Sequence, residues 1–182
     1  MKIINEDTLP LFTIECFKGK LEFDGDVLSV ILKLIDTAER CHPDKNHVEY
    51  DLFKLPEDGG DPLITSIMST IMDRVRDETG CTCTTSKHWV SVTSPNESMQ
   101  PHVHGSDEAG ARSLTATYWV DVPENSGDFY YYPTARLEGV MGYYPSKSGD
   151  FIVYPSGLIH GITKNRSEYK RYSLSFEINI DR

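Results

Sequence analysis

The sequence predicts an α+β fold in which an antiparallel β-sandwich or small barrel, formed by the second half of the chain, follows two amphipathic helices that cover an outer sheet face. Three observations lead there. Beyond residue 80 the helix formers give way to Thr, Val, Tyr, Phe and Trp in short runs punctuated by Pro, Gly, Asn and Ser. The last of these runs alternates between apolar and polar side chains, and two stretches before residue 80 repeat apolar residues at helical spacing. No internal repeat, low-complexity tract or linker divides the chain, so 1–182 reads as a single domain, with 1–80 as helical and strand support and 81–182 as the β core that carries a site.

Residues 9–23 alternate as a strand does. Residues 27–40 then place Val27, Leu28, Val30, Ile31, Leu34, Ile35 and Ala38 on one helical stripe, which His42-Pro43-Asp44 is expected to end because proline removes a donor and restrains the residue before it. Asp61-Pro62 opens a second helix, whose stripe of Leu63, Ile64, Ile67, Met68, Ile71, Met72 and Val75 runs until Gly80. Strands are expected over 82–93, 114–122, 128–132, 150–154 and 171–180. Antiparallel sheets of this number close or form jelly rolls and leave a concave mouth suited to a ligand.

At 182 residues the chain is long enough to build a core without metals or disulfides as staples, so a metal site would serve chemistry. A net charge of −10 argues against a nucleic-acid partner, which calls for a basic patch. Of Cys16, Cys41, Cys81 and Cys83, the last two sit side by side on one face of a strand and are poorly placed to bridge, which reads as reduced thiols. No apolar run reaches the ~18 to 20 residues that span a bilayer, and the first residues lack signal-peptide character. A cytoplasmic location is expected, in the host cytoplasm if the gene is carried by a phage.

The chemistry concentrates near the end. In 171–180, Tyr172, Leu174, Phe176, Ile178 and Ile180 fall on one face and Arg171, Ser173 and Ser175 on the other. Arginine beside two serines on an inward face forms an anion socket, since a buried cation is costly unless paired. Eleven residues earlier, a Pro-Ser-Gly turn delivers His160. Upstream, His102-Val103-His104 with Asp107 and Glu108 is the densest group of metal-ligand types. In an extended chain the two histidines project to one side, about 6 to 7 Å apart, which lets both grip one ion. Imidazole and carboxylate ligands with open positions suit a redox-active ferrous ion.

With these residues together, the chain resembles the iron(II)- and 2-oxoglutarate-dependent oxygenases, and within them a bacterial and phage branch carrying an H-x-H pair. The resemblance rests on Trp89, His102 and His104, residues 118–123 (YWVDVP), Ser126-Gly127, Gly149, Tyr154-Pro155-Ser156, His160, and residues 171–176 (RYSLSF). It implies a double-stranded β-helix, or jelly-roll barrel, with iron inside its mouth. It implies His102, His104 and His160 as metal ligands, Arg171 holding the distal carboxylate of 2-oxoglutarate, and Ser173 assisting. Most members of the wider superfamily have a carboxylate where His104 stands, so Asp107 or Glu108 is kept as an alternative ligand.

A second resemblance is to the cupins, which share the barrel. His102, His104 and Glu108, followed by Gly149, Pro155, Gly157 and His160, fit their two motifs; the leading glycine of the first motif is missing and the 171–176 strand is left without a role. The expected activity is therefore that of a dioxygenase, a hydroxylase using Fe(II), 2-oxoglutarate and O2 on a small-molecule or peptide substrate. The alternatives are a cupin-type metal isomerase or dioxygenase and a non-catalytic ligand-binding barrel.

Overall fold

Two antiparallel sheets lie against each other in the computed structural model, which describes residues 16–22, 25–41, 48–52, 61–104, 113–133 and 141–181. In chain order the elements are β1 (Phe17–Lys20), α1 (Val27–Ile35), β2 (Glu39–Cys41), β3 (Val48–Asp51), α2 (Pro62–Thr79), β4 (Thr82–Thr93), β5 (Met99–His102), β6 (Ser113–Asp121), β7 (Phe129–Tyr131), β8 (Gly142–Tyr144), β9 (Asp150–Pro155), β10 (His160–Ile162) and β11 (Arg171–Asp181). The large sheet runs β1-β9-β6-β11-β4-β3-β2 and the small one β5-β10-β7-β8.

The register of β11 sorts the large sheet into two faces. Residues directly opposite in an antiparallel ladder point the same way. Leu174 faces Val90 on β4 and Tyr118 on β6, whereas Ser173 faces Ser91 and Trp119. The first set turns outward and shares one buried cluster with Ile31 of α1 and Ile67, Ile71 and Val75 of α2. The second set turns toward the small sheet, where Trp119, Ile152 and Tyr154 meet Met99, Phe129 and Ile162 in a second cluster. A fully buried side chain of this size contributes about 1.5–3 kcal/mol by leaving water, so both faces are held, and a slip of one residue would turn the serines into the helix-covered core.

Local signals set the helix ends. Asp26 accepts from Ser29 N at 3.0 Å and Asp61 from Leu63 N at 2.8 Å, each satisfying an orphan donor of a first turn. Gly80 closes α2 in the left-handed region at φ 66°. The stripe through Ala38 predicts a helix to residue 40, but α1 stops at Ile35. There Thr37 N, Ala38 N and Thr37 Oγ1 all converge on Leu34 O, at 3.1, 3.0 and 3.1 Å, and the threonine hydroxyl competes with the regular ladder. Leu34, Ile35 and Ala38 still pack on the helix-side core, so the stripe reports the buried face rather than the helical state. His42-Pro43-Asp44 and residues 9–15 lie outside the described residues. Cys16, Cys81 and Cys83 are free thiols, and no helix among the described residues is long and apolar enough to cross a membrane.

One glycine sets how closely the strands of the small sheet approach. A Cβ on Gly161 would stand 2.5 Å from Met99 O and 2.5 Å from Tyr130 Oη, the two groups that hydrogen-bond each other over β10 at 3.1 Å. Gly161→Ala is expected to destabilise the protein by ~1–3 kcal/mol through overpacking. Gly157→Ala, whose new methyl would meet nothing within 4 Å, is expected to be near neutral. Urea denaturation of the two variants checks the contrast.

Candidate active site

Three histidines are brought together by the small sheet and one turn. His102 ends β5 directly opposite His160 at the start of β10. His104 lies two residues past the strand, and its backbone N–H donates to Ser156 O at 2.8 Å, which ties it to the turn before His160. That turn is itself fixed: Leu158 N donates to Pro155 O at 2.8 Å, Ser156 N to Ser113 O at 3.1 Å, and Ser156 Oγ lies 2.9 Å from Thr115 Oγ1. One ring nitrogen from each histidine falls within 4.8 Å of the other two. Ligand nitrogens about 2.1 Å from one ion stand about 3.0–3.4 Å apart at tetrahedral or octahedral angles, so closing the set on one ion draws the rings together by about 1–2 Å. Asp107 and Glu108 lie outside the described residues.

The rings are oriented for the task. Nδ1 of His102 is 2.9 Å from Gln100 O and Nδ1 of His160 is 2.8 Å from Leu158 O. A carbonyl only accepts, so in each ring Nδ1 carries a proton, and in a neutral ring Nε2 then keeps its lone pair. His160 is buried, with Phe129 stacked on it at 5.3 Å and 22°. Burial first, then the neighbouring His102 and His104, push its pKa well below 6.5 and keep it neutral at pH 7. Its Nε2 accepts from Tyr154 Oη at 3.0 Å; that hydroxyl is 3.3 Å from Thr117 Oγ1, which is 3.0 Å from Ser175 Oγ.

These groups line a cavity of about 300 Å³, counting its open mouth. Ser173 and Ser175 form part of its wall, with Ser91 and Trp89 opposite them on β4. Arg171 continues the same face of β11 outside the cavity wall. It is 2 % exposed; Nη1 donates to Gly127 O at 2.6 Å and Nη2 has no hydrogen-bond partner among the described residues. Burial lowers its pKa to about 10, against the opposing pull of Asp128, so it stays charged. Trp119, the partner of Ser173 on β6, is fully buried with its Nε1 also unpartnered. Two donors thus stand without acceptors in the interior, beside a serine.

On β6, Thr115, Thr117 and Trp119 share the inward face, Thr115 against Ser156, Thr117 against Ser175 and Trp119 in the cluster shared with the small sheet. Sequence reasoning missed Glu49 and gave Tyr154 no task of its own. Glu49 sits on β3 opposite Ser91, 7 % exposed, in the cavity wall. Its signal was the alternation of Val48 and Tyr50 with Glu49 and Asp51, hidden inside a stretch that reads as polar loop. A larger cleft, about 1190 Å³ when its open mouth is counted in the same way, opens among loops 122–128, 146–148 and 163–166. No metal-ligating cluster among the described residues adjoins it, so the chemistry is assigned to the smaller cavity.

Known proteins share the fold. The family model 2OG-FeII_Oxy_5, of 2OG-Fe(II) oxygenases, matches residues 87–177. No curated protein matches the sequence. Among solved structures, the non-heme alpha-ketoglutarate-dependent epimerase SnoN of nogalamycin biosynthesis superposes with a TM-score of 0.70 at 16 % identity, over 90 % of this chain and 76 % of its own. HygX from Streptomyces hygroscopicus, with nickel, 2-oxoglutarate and hygromycin B bound, gives 0.66 at 13 % identity, over 97 % and 87 %. A prolyl-4-hydroxylase from Pseudomonas putida gives 0.63 at 14 % identity, over 93 % and 94 %. At these identities the likeness is one of fold, a jelly roll of mostly antiparallel sheets.

The buried neutral histidine has a consequence for stability. His160 holds no proton when folded but takes one below about 6.5 when unfolded, so its contribution is fully present above that pH and is lost as pH falls below it. The urea midpoint of metal-free protein is expected to decline as pH is lowered from about 7 to 5, and His160→Leu to flatten part of that decline. Denaturation at a series of pH values checks it.

Proposed function

Because the chain belongs to the 2OG-Fe(II) oxygenase family, we propose that its three histidines hold the iron and that it hydroxylates a small-molecule or peptide substrate. The family uses Fe(II), 2-oxoglutarate and O2. The donor set fits such an ion: His102, His104 and His160 offer imidazole nitrogens within 4.8 Å of one another. Three ligands leave open positions for a keto acid and O2. Bound iron with these cosubstrates supplies the oxidising power that converts a C–H bond to an alcohol while 2-oxoglutarate becomes succinate and CO2.

The observation that carries the reading is Arg171, a buried cation with one amino group unpartnered. A guanidinium fork matches a carboxylate with parallel hydrogen bonds, and in a dry interior such a pair is stronger than at the surface. Arg171 is read as the anchor of the distal carboxylate, with Ser173 Oγ and Trp119 Nε1 as neighbouring donors. Phe129 and Tyr154 shield the His160 face from water, and the carbonyls of Gln100 and Leu158 hold the rings in register. Residues 1–80 are read as support for the barrel. The cupin alternative leaves Arg171 and Ser173 with no task.

Anaerobic addition of iron(II) and then 2-oxoglutarate is expected to produce the weak visible charge-transfer band of a chelated keto acid. His160→Ala and His102→Ala are expected to abolish stoichiometric metal binding. Arg171→Ala is expected to leave metal affinity intact and weaken 2-oxoglutarate binding by about 2 kcal/mol, roughly thirtyfold. Arg171→Lys and Ser173→Ala are expected to lose less. Titration of the keto acid into each metal-loaded protein checks the ranking, and an Arg171→Ala variant that binds it like wild type rules the anchor out.

A further inference from the structure

We propose that the turn Ser126-Gly127-Asp128 positions the cosubstrate anchor: the Gly127 carbonyl takes up one amino group of Arg171 and so leaves the other for the distal carboxylate of the keto acid. The inference deepens the oxygenase reading and rests on it for the identity of the anchored anion. The hold of the turn on the guanidinium stands on geometry alone.

An arginine side chain is long and flexible, so a guanidinium is aimed at a ligand only when its head is fixed. Here one carbonyl fixes it. Nη1 of Arg171 donates to Gly127 O at 2.6 Å, a bond that ties β11 to a turn 44 residues earlier. Nη2 has no hydrogen-bond partner among the described residues, although the whole residue is buried. The guanidinium is planar and rigid, so holding one amino group restricts where the other lies. Against the burial that lowers its pKa, Asp128 favours its charged form. A buried cation kept for stability alone is expected to have both amino groups paired, since a poorly paired buried charge is costly. One held and one open amino group is what a receptor for an anion requires.

The turn is itself held, and by the segment that follows the strand of His160. Ser126 N donates to Pro123 O at 3.1 Å, and Arg166 N to Asn125 O at 2.8 Å. Asp128 N donates to Thr163 Oγ1 at 2.9 Å, and Thr163 N returns to Asp128 O at 2.9 Å. Thr163 follows β10 directly, so the anchor and one metal-ligand candidate are referred to the same strand. Gly127 has a φ of 96°, where L side chains are strained, and a Cβ there would press into Thr163 O. Glycine alone presents its carbonyl to Arg171 from this position without moving the turn. The Ser126-Gly127 pair, which is part of the family resemblance, thereby acquires a task.

The test compares two keto acids, 2-oxoglutarate and 2-oxobutyrate, which differ by the distal carboxylate. Each is titrated anaerobically into iron(II)-loaded protein and read by the charge-transfer band. Wild type is expected to prefer 2-oxoglutarate about thirtyfold. Gly127→Ala is expected to cut that preference about tenfold, while metal stoichiometry and 2-oxobutyrate affinity stay as in wild type. Thr163→Val removes the acceptor of Asp128 N and adds no bulk at residue 127. It is expected to cut the preference about threefold, and it decides the matter if Gly127→Ala does not fold. In an Arg171→Ala background neither substitution is expected to change the preference further, because the turn acts through the guanidinium. An equal loss of both keto acids, or a full further loss in the Arg171→Ala background, overturns the proposal by making the turn general support for the barrel. A preference that survives Gly127→Ala and Thr163→Val overturns it too and leaves the anchor standing. A wild type that binds the two keto acids alike removes the anchor itself, and the proposal with it.

Discussion

The pairing of His102 with His160 across the β5–β10 ladder is the constraint on which the site depends. Residues 58 positions apart become neighbours because two strand ends are hydrogen-bonded face to face, and their ring centroids lie 4.4 Å apart. The pairing needs backbones that approach closely, which Gly161 permits and the Tyr130 hydroxyl closes over through Met99 O. His104 joins from beyond the strand because its N–H is held by Ser156, a residue of the turn that also delivers His160. Metal-ligand candidates on separate segments thus share a few backbone hydrogen bonds, and a shift in any one of these bonds moves more than one ring.

The central strand β11 divides the protein between stability and chemistry. Its outward residues Leu174, Phe176 and Ile178 are fully buried in the core that includes α1 and α2. Its inward residues Arg171, Ser173 and Ser175 form a polar row in the same strand. A strand buried on both faces is strongly specified in register, and this register gives the inward row its positions. The rigid outer core therefore sets the distance from Arg171 to the histidines.

Burial lowers the pKa of both basic groups in the interior, with opposite outcomes at neutral pH. It keeps His160 neutral, so that a lone pair is available where a cation would repel a metal. Arg171 also feels desolvation, but with a pKa near 10 it remains a cation at neutral pH and so can meet an anion without water between them. Glu49 adds a negative charge on the far wall. The interior thus offers neutral donors, a cation and an anion in separate places on one scaffold.

What the sequence determined by itself is what depends on neighbours along the chain. The alternation in 171–180 fixes which side chains share a face, since successive residues of a strand point to opposite sides. Asp61-Pro62 and Gly80 mark chain positions where a helix begins and ends, and the spacing of His102, His104, His160 and Arg171 marks them as a group. The tertiary structure decided what depends on register between distant segments. Glu49 enters the cavity only because β3 pairs with β4 so that it faces Ser91, and nothing near residue 49 encodes that partner. Tyr154 becomes the hydrogen-bond partner of His160 only through the turn at 155–157, and α1 ends at Ile35 because Thr37 closes on Leu34 while the apolar stripe runs on. Periodicity is a local property of a chain, whereas register is settled by the packing of both faces of a sheet at once.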